Sequence, residues 1–240
     1  PKPAVRSELA CIRCGHCVAV CPNGSLTHRE MPVEKLPLIM EPLKVTAEQC
    51  EQLLRSRRSI RAYKKEAVSR DVIQRLIEIA RYAPTGHNNQ DVEWLVIDSR
   101  AELDRMERIG TEWIRWAIKN QPQMASMFDM EKMLERQVEN NNVFLRGAPV
   151  LIAAHGVKDS PMAFIDCTIA LTYLDLAASS MGLGCCWAGF VYVMAGSFPP
   201  MKEAIALPGG RSGYGFMMLG YPHFSYHRLP LRKPPPITWR

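Results

Sequence analysis

The chain lacks an uninterrupted apolar run long enough to cross a bilayer. Its most apolar stretch, 161–194, is broken by Asp166, Asp175 and several glycines, so no membrane contact is expected. Internal repeats and low-complexity tracts are also missing, which excludes solenoids and disordered scaffolds. Aromatic residues are scarce, at 8%, and are not interleaved with Arg and Lys as in a nucleic-acid module. The formal charge of +6 is therefore not read as a nucleic-acid footprint. Basic residues gather in RSRRSIR (55–61) and HRLPLRK (227–233), and are read mainly as counter-charge to bound anions. There are eight cysteines but no secretory signal, which argues against a disulfide framework. A reducing, cytoplasmic setting is expected.

What the chain does have is CIRCGHCVAVCP at 11–22. Cys11, Cys14, Cys17 and Cys21 stand at C-x2-C-x2-C-x3-C, followed by Pro22, the ferredoxin-type ligand run for a [4Fe-4S] cluster. The two-residue intervals let a tight loop turn thiolates toward one cluster. Zinc is the competing ligand, but its cysteines usually come as two separated pairs. In two-cluster ferredoxins the fourth cysteine of such a run serves the other cluster. Cys50, Cys167, Cys185 and Cys186 form no second run, so a partner run upstream of Pro1 is expected and the segment read here is incomplete. A single cluster with Cys50 as a remote ligand is the alternative.

The pattern divides the chain into a cluster segment (1–30), a proline-containing linker (31–45) and a main domain (46–240). Thr46 and Gln49 have capping-box spacing and open a helix. Ser69 caps a second helix over 69–82, with Val72, Ile73, Leu76, Ile77 and Ala80 on one face. Buried strands are expected at 94–98, 148–156 and 214–220, and 185–193 is an apolar segment of undecided type. Residues 101–145 read as amphipathic helix broken near Pro122, and Ser160-Pro161 opens a helix that Gly182 closes. Helices flanking a few buried strands indicate a layered α/β or α+β domain.

Four stretches carry candidate chemistry. Arg57, Arg58, Ser59 and Arg61 at a helix end suit a phosphate, although a basic run alone is usually a solvated face. Asn88 and Gln90 in APTGHNNQ (83–90) offer donors and acceptors to a heteroaromatic edge, against the plainer reading of a surface loop. GLGCCWAGF (182–190) has glycines that let backbone approach a ligand, while adjacent Cys185 and Cys186 cannot form a normal redox pair. Arg228, Arg232 and Lys233 of the tail suit closure over an anion.

Taken in order, RRSIRAY, APTGHNNQ, GLGCCWAGF, GYGFMMLGYP and HRLPLRKPP are similar to the nitroreductase family of flavoproteins, in its variant fused to an N-terminal ferredoxin-like domain. The resemblance spans about 46–240. It implies an α+β fold with a central, mainly antiparallel sheet sandwiched by helices, and a small N-terminal ferredoxin-like segment. It also implies a homodimer with FMN at the subunit interface. By position, Arg57, Arg58, Ser59 and Arg61 would hold the FMN phosphate and ribityl region. Asn88 and Gln90 would contact the ring or its side chain. Cys186, Trp187, Ala188 and Gly189 would line the ring, and Arg228 and Arg232 would reach the phosphate. Two features depart from the family: Asp91 follows Gln90 where Pro is common, and Ala188 stands where many members are acidic. The second fits electrons arriving from iron–sulfur rather than from a nicotinamide.

The leading expectation is an FMN-dependent oxidoreductase. Electrons would pass from the cluster, from a ferredoxin-like donor or from NAD(P)H through FMN to a small acceptor such as a nitroaromatic or quinone. His87 is a candidate proton donor, weighed against an ordinary surface histidine. The rival expectation is an electron-transfer or redox-sensing module with no substrate of its own.

Overall fold

The apolar run at 150–157 and the run at 211–220 become the two inner strands of a sheet. In the computed structural model, which describes residues 11–140 and 142–240, the first ten residues of the expected iron–sulfur segment lie outside the described residues. The strands are β1 (Glu93–Ile97), β2 (Val150–Val157), β3 (Gly184–Trp187) and β4 (Arg211–Gly220). They lie in the order β1-β2-β4-β3, and every neighbouring pair is antiparallel.

The helices are α1 (His16–Ala19), α2 (Ala47–Ser56), α3 (Arg70–Ala80), α4 (Arg100–Asn120), α5 (Pro122–Met127) and α6 (Met130–Asn140). They continue with α7 (Ala163–Ser180), α8 (Gly189–Ser197) and α9 (Pro199–Ile205). The expected caps are present. The Thr46 hydroxyl accepts from the Gln49 N–H at 3.2 Å, and the Gln49 side chain accepts from the Thr46 N–H at 2.9 Å. Ser69 caps α3, and Gly182 leaves α7 at φ 73°, a left-handed conformation that favours glycine. Pro122 divides the long helical stretch between α4 and α5 as expected. The 185–193 segment divides into β3 and the start of α8, and α9 was not anticipated.

Strand alternation sorts side chains to two faces. Leu151, Ala153, Phe216, Met218 and Cys186 face one core with α4, α6, α8 and α9. Val150, Ile152, Ala154, Met217, Leu219 and Cys185 face the other with α3 and α7. Both faces are covered, so β2 and β4 read as continuous apolar runs rather than alternating ones. The adjacent Cys185 and Cys186 point to opposite faces and cannot pair.

By length and hydropathy α7 does qualify as a possible bilayer span, which the sequence expectation had ruled out. It packs Cys167, Leu171, Leu174 and Ala178 into the α3-side core instead. Its Phe164, Ile165 and Tyr173, with Tyr192 and Val193 of α8, remain exposed.

Candidate functional site

The chain leaves α2 at Arg57 and runs as an extended strap along β3, an edge strand of the sheet. Ile60 N–H donates to Cys185 O at 2.8 Å, Lys64 N–H to Tyr221 O at 2.8 Å, and His223 N–H to Ala62 O at 2.9 Å. The first of these bonds occupies the β3 edge, which would otherwise expose unpaired backbone groups, and the other two tie the strap to the segment that follows β4. The approach requires Gly184, because a Cβ there would sit 2.3 Å from the Ile60 side chain.

The strap sets the direction of its arginines. Arg57 Nη1 donates to Asp175 Oδ2 of α7 at 3.2 Å, with Asp175 buried and Arg57 half-buried. Burial pushes the Asp175 carboxyl above the usual carboxylate range, and the Arg57 guanidinium partly opposes that rise. Arg58 folds back onto the end of α2, donating to Arg57 O at 2.8 Å and to Arg55 O at 3.2 Å. Arg61 donates to Ser59 O at 3.5 Å. Burial raises the pKa of the Cys186 thiol, and the Arg61 guanidinium partly opposes that rise.

A cleft of about 630 Å³ opens between this corner and the tail. Arg55, Arg57 and Arg58 form one wall, and Arg232 and Lys233 the other. Of the residues expected at a phosphate, the structure gathers Arg57, Arg58 and Arg232 here; Ser59, Arg61 and the exposed Arg228 are not part of its lining. Arg55 is an addition, at the near end of the same basic run. Asp175 was also missed, although an acid within a largely apolar helix is a visible signal.

β3 delivers Cys186 to Gly189. Cys186 is buried, and its thiol donates to Trp187 O at 3.6 Å. Trp187 lies partly open beside Gly215. Ala188 N–H donates to Phe216 O at 2.8 Å, ending the strand pairing, and α8 starts at Gly189. A Cβ at Gly189 would meet nothing within 4 Å, so its backbone faces open space.

The 85–91 loop is held from three directions. Gly86 N–H donates to Asp166 Oδ1 of α7 at 3.0 Å, Gln90 N–H to Thr85 Oγ1 at 3.0 Å, and Arg211 Nη2 of β4 to Asp91 O at 2.7 Å. His87, Asn88 and Gln90 have φ of 53°, 56° and 54°. Such left-handed non-glycine residues cost about 1 kcal/mol or more each, so the contacts hold a strained loop. His87 and Gln90 are exposed. Asn88 turns toward the cysteine run, and its Nδ2 donates to Ile12 O at 3.2 Å and Arg13 O at 3.0 Å.

All four cysteines of the run are free thiols; Cys11, Cys14 and Cys17 are exposed and Cys21 is half-buried. Cys21 Sγ accepts from the Ser25 N–H at 3.2 Å. Backbone donors, led by Leu26, hold its pKa below the ordinary thiol value. That environment suits a thiolate ligand. Among the described residues no three His, Cys, Asp or Glu side chains are gathered as a site for a single metal ion.

Residues 54–221 match the nitroreductase family, and residues 4–27 match the 4Fe-4S binding domain. The chain belongs to the nitroreductase family and carries an N-terminal 4Fe-4S binding domain. It is 25% identical over 177 residues to an Archaeoglobus fulgidus protein named "Putative NADH dehydrogenase/NAD(P)H nitroreductase", covering 73% of this chain and 86% of the relative. It is 26% identical over 139 residues to the iodotyrosine deiodinase of Thermotoga neapolitana, covering 55% and 69%. The nitroreductase of Bacteroides fragilis, solved with bound FMN, shares the fold at a TM-score of 0.64 and 22% identity, over 78% of this chain and 96% of that one.

Proposed function

We propose that the chain is an FMN-dependent oxidoreductase that delivers electrons to a small acceptor such as a nitroaromatic or quinone, drawing them from its iron–sulfur cluster or from NAD(P)H. The observation that carries this reading is the basic cleft beside an open backbone cradle. Arg55, Arg57, Arg58, Arg232 and Lys233 supply the positive wall that a flavin phosphate requires, and the open space at Gly189 leaves room for its ring. Bound FMN would supply the two-electron chemistry.

The protein residues bind and orient. Asp175 holds Arg57 at its Nη1, which leaves the rest of the guanidinium fork for an anion. Ser59 and Arg61 stand next along the strap, toward the ribityl region. Ala188 and Gly189 offer backbone to the ring, and Trp187 and Gln90 border it. Arg228 closes from the tail. The exposed His87 is a proton source on the 85–91 loop.

The chain is proposed to work as a homodimer. α7 is apolar almost all round, yet Phe164, Ile165 and Tyr173 are left in water, which a second copy would cover. The donor named for the Archaeoglobus relative and the substrate named for the Thermotoga relative put NAD(P)H and iodotyrosine on the assay panel.

Single-turnover reoxidation tests the proposal. The FMN-loaded chain is reduced anaerobically and mixed with each candidate acceptor. Rapid reoxidation by at least one nitroaromatic or quinone is expected; no reoxidation by any acceptor on the panel would remove the enzyme reading.

A further inference from the structure

One end of the sheet carries a charged group that the flavin reading does not use. Arg211, the first residue of β4, reaches across β2 to β1 with its side chain only 13% exposed. Its guanidinium serves four acceptors on three segments. Nη2 donates to Asp91 O at 2.7 Å and to His155 O at 3.4 Å, and Nε donates to His155 Nδ1 at 3.4 Å. Nη2 also pairs with Glu93 Oε1 of β1 at 3.0 Å. Asp91 closes the 85–91 loop, so this one side chain fixes the exit of the loop. His87, Asn88 and Gln90 are left-handed, a conformation that persists only where surrounding contacts enforce it.

His155 is the member of this network that can change charge near neutral pH. It is 4% exposed and stands opposite Glu93 in the β1–β2 register. The register shifts between Ala154 and His155, a bulge of the kind that re-aims a side chain. Nδ1 accepts from Arg211 and lies 3.7 Å from Glu93 Oε2. A solvent proton added at Nδ1 would end the Arg211 bond, set two cations side by side and give Glu93 to the imidazolium. Burial first, then Arg211, lowers the His155 pKa, so the present arrangement is held above about 6.5 and is lost as pH falls. α7 brings two further groups to this end. A Cβ at Gly156 would stand 3.7 Å from Cys167 Sγ, but burial pushes that thiol up to about 12 and keeps it neutral. Asp166 accepts from the Gly86 N–H and is a second group whose protonation would loosen the loop.

We infer that Arg211 and His155 form a proton-operated clamp on the 85–91 loop: neutral His155 keeps Arg211 on Asp91 O, and protonated His155 takes Glu93 and frees the loop. Both are positioning residues, acting through the loop. Because the loop carries Asn88 and Gln90, the clamp makes FMN binding weaken as pH falls, a consequence that rests on the flavin reading.

Hydrogen exchange of the full chain, before any cofactor is added, tests the clamp. The Gly86, Asn88, Asn89 and Gln90 N–H groups are all hydrogen-bonded, so their protection reports the loop. Corrected for the intrinsic pH dependence of exchange, it should fall about fivefold from pH 7.5 to 5.5, within the roughly tenfold per pH unit that one proton allows. Amides of β2 and β4 should stay far more protected than the loop, which shows that the fold is intact. His155→Gln keeps an acceptor for Arg211 but gains no proton, and should abolish the fall. Arg211→Met should leave the loop weakly protected at both pH values. No fall in the unaltered chain, or unaltered protection in Arg211→Met, overturns the clamp. An equal fall in His155→Gln also overturns it and assigns the pH dependence to Asp166. Should His155→Gln not fold, Glu93→Gln decides. It removes the carboxylate that receives the imidazolium, so the fall should move to lower pH, and an unmoved fall overturns the clamp.

The flavin consequence is read separately, by FMN fluorescence quenching at the same two pH values. The loss of affinity on acidification should be about fivefold larger in the unaltered chain than in His155→Gln, which shares the titration of the FMN phosphate. Equal losses overturn the coupling to flavin. A chain that binds no FMN overturns the flavin reading, while the exchange result still decides the clamp.

Discussion

The cysteine segment and the sheet domain hold their shapes by opposite means. Over 11–35 only Val18 is buried, and the segment is held by local hydrogen bonds, the exposed Arg13–Glu30 pair and the Asn88 amide of the main domain. The sheet domain buries two apolar cores, one on each face. A segment with so little apolar burial depends on bound metal or a docking surface, as small metal domains do. The sheet domain depends on packing, and the loops and strap that surround it carry the candidate site.

The largest expected effects break this comparison directly. Leu174→Ala in the α7 core should cost about 2–5 kcal/mol in urea unfolding, because a buried leucine leaves a cavity. Cys14→Ser should abolish the broad visible absorption of the cluster and leave that unfolding midpoint unchanged. If both substitutions shift the midpoint equally, the two regions are one cooperative unit.

Thiol reactivity sharpens the contrast. Burial pushes the Cys167 thiol up to about 12, while backbone donors pull Cys21 below its ordinary value. In the metal-free chain at neutral pH, iodoacetamide should label Cys21 at least about a thousandfold faster than Cys167, since the thiolate reacts. Mass mapping of the labelled peptides reads the ratio directly.

The basic cleft comes next in size. Arg57→Ala with Arg58→Ala should weaken FMN about a hundredfold, measured by flavin fluorescence quenching, because charge-assisted contacts to phosphate are lost. Asp175→Asn should weaken it less, since Arg57 remains but is no longer held.

The smallest effect is a pH slope. Burial first, then Arg211, lowers the His155 pKa, and Glu93 opposes them. His155 Nδ1 accepts from Arg211 Nε at 3.4 Å, which fits the neutral ring. A folded pKa below the unfolded one means that this stability is present above about 6.5 and is lost as pH falls through the folded value. The urea midpoint should therefore drop on going from pH 7.5 to 5.5, and His155→Gln should flatten that drop.

Local features of this fold were readable from sequence because their causes are local. Thr46, Ser69 and Gly182 act within a few residues of themselves, and strands buried on both faces appear as continuous apolar runs. α9 was not anticipated; it is a short helix that opens on Pro199 and Pro200, and proline is tolerated in a first turn. Arg57–Asp175 joins residues 118 positions apart, and Asn88 reaches back 75 and 76 positions to Arg13 and Ile12. No local pattern encodes such pairs. The basic run therefore suggested an anion site but not which of its arginines would line the cleft.

The most direct test of the central claim is equilibrium binding of FMN to the full chain and to its Arg57→Ala/Arg58→Ala variant. The account predicts one FMN per chain, with quenched flavin fluorescence, and a binding curve displaced about a hundredfold in the variant. A chain that retains no FMN, or a variant that binds it as tightly as the original, would contradict it.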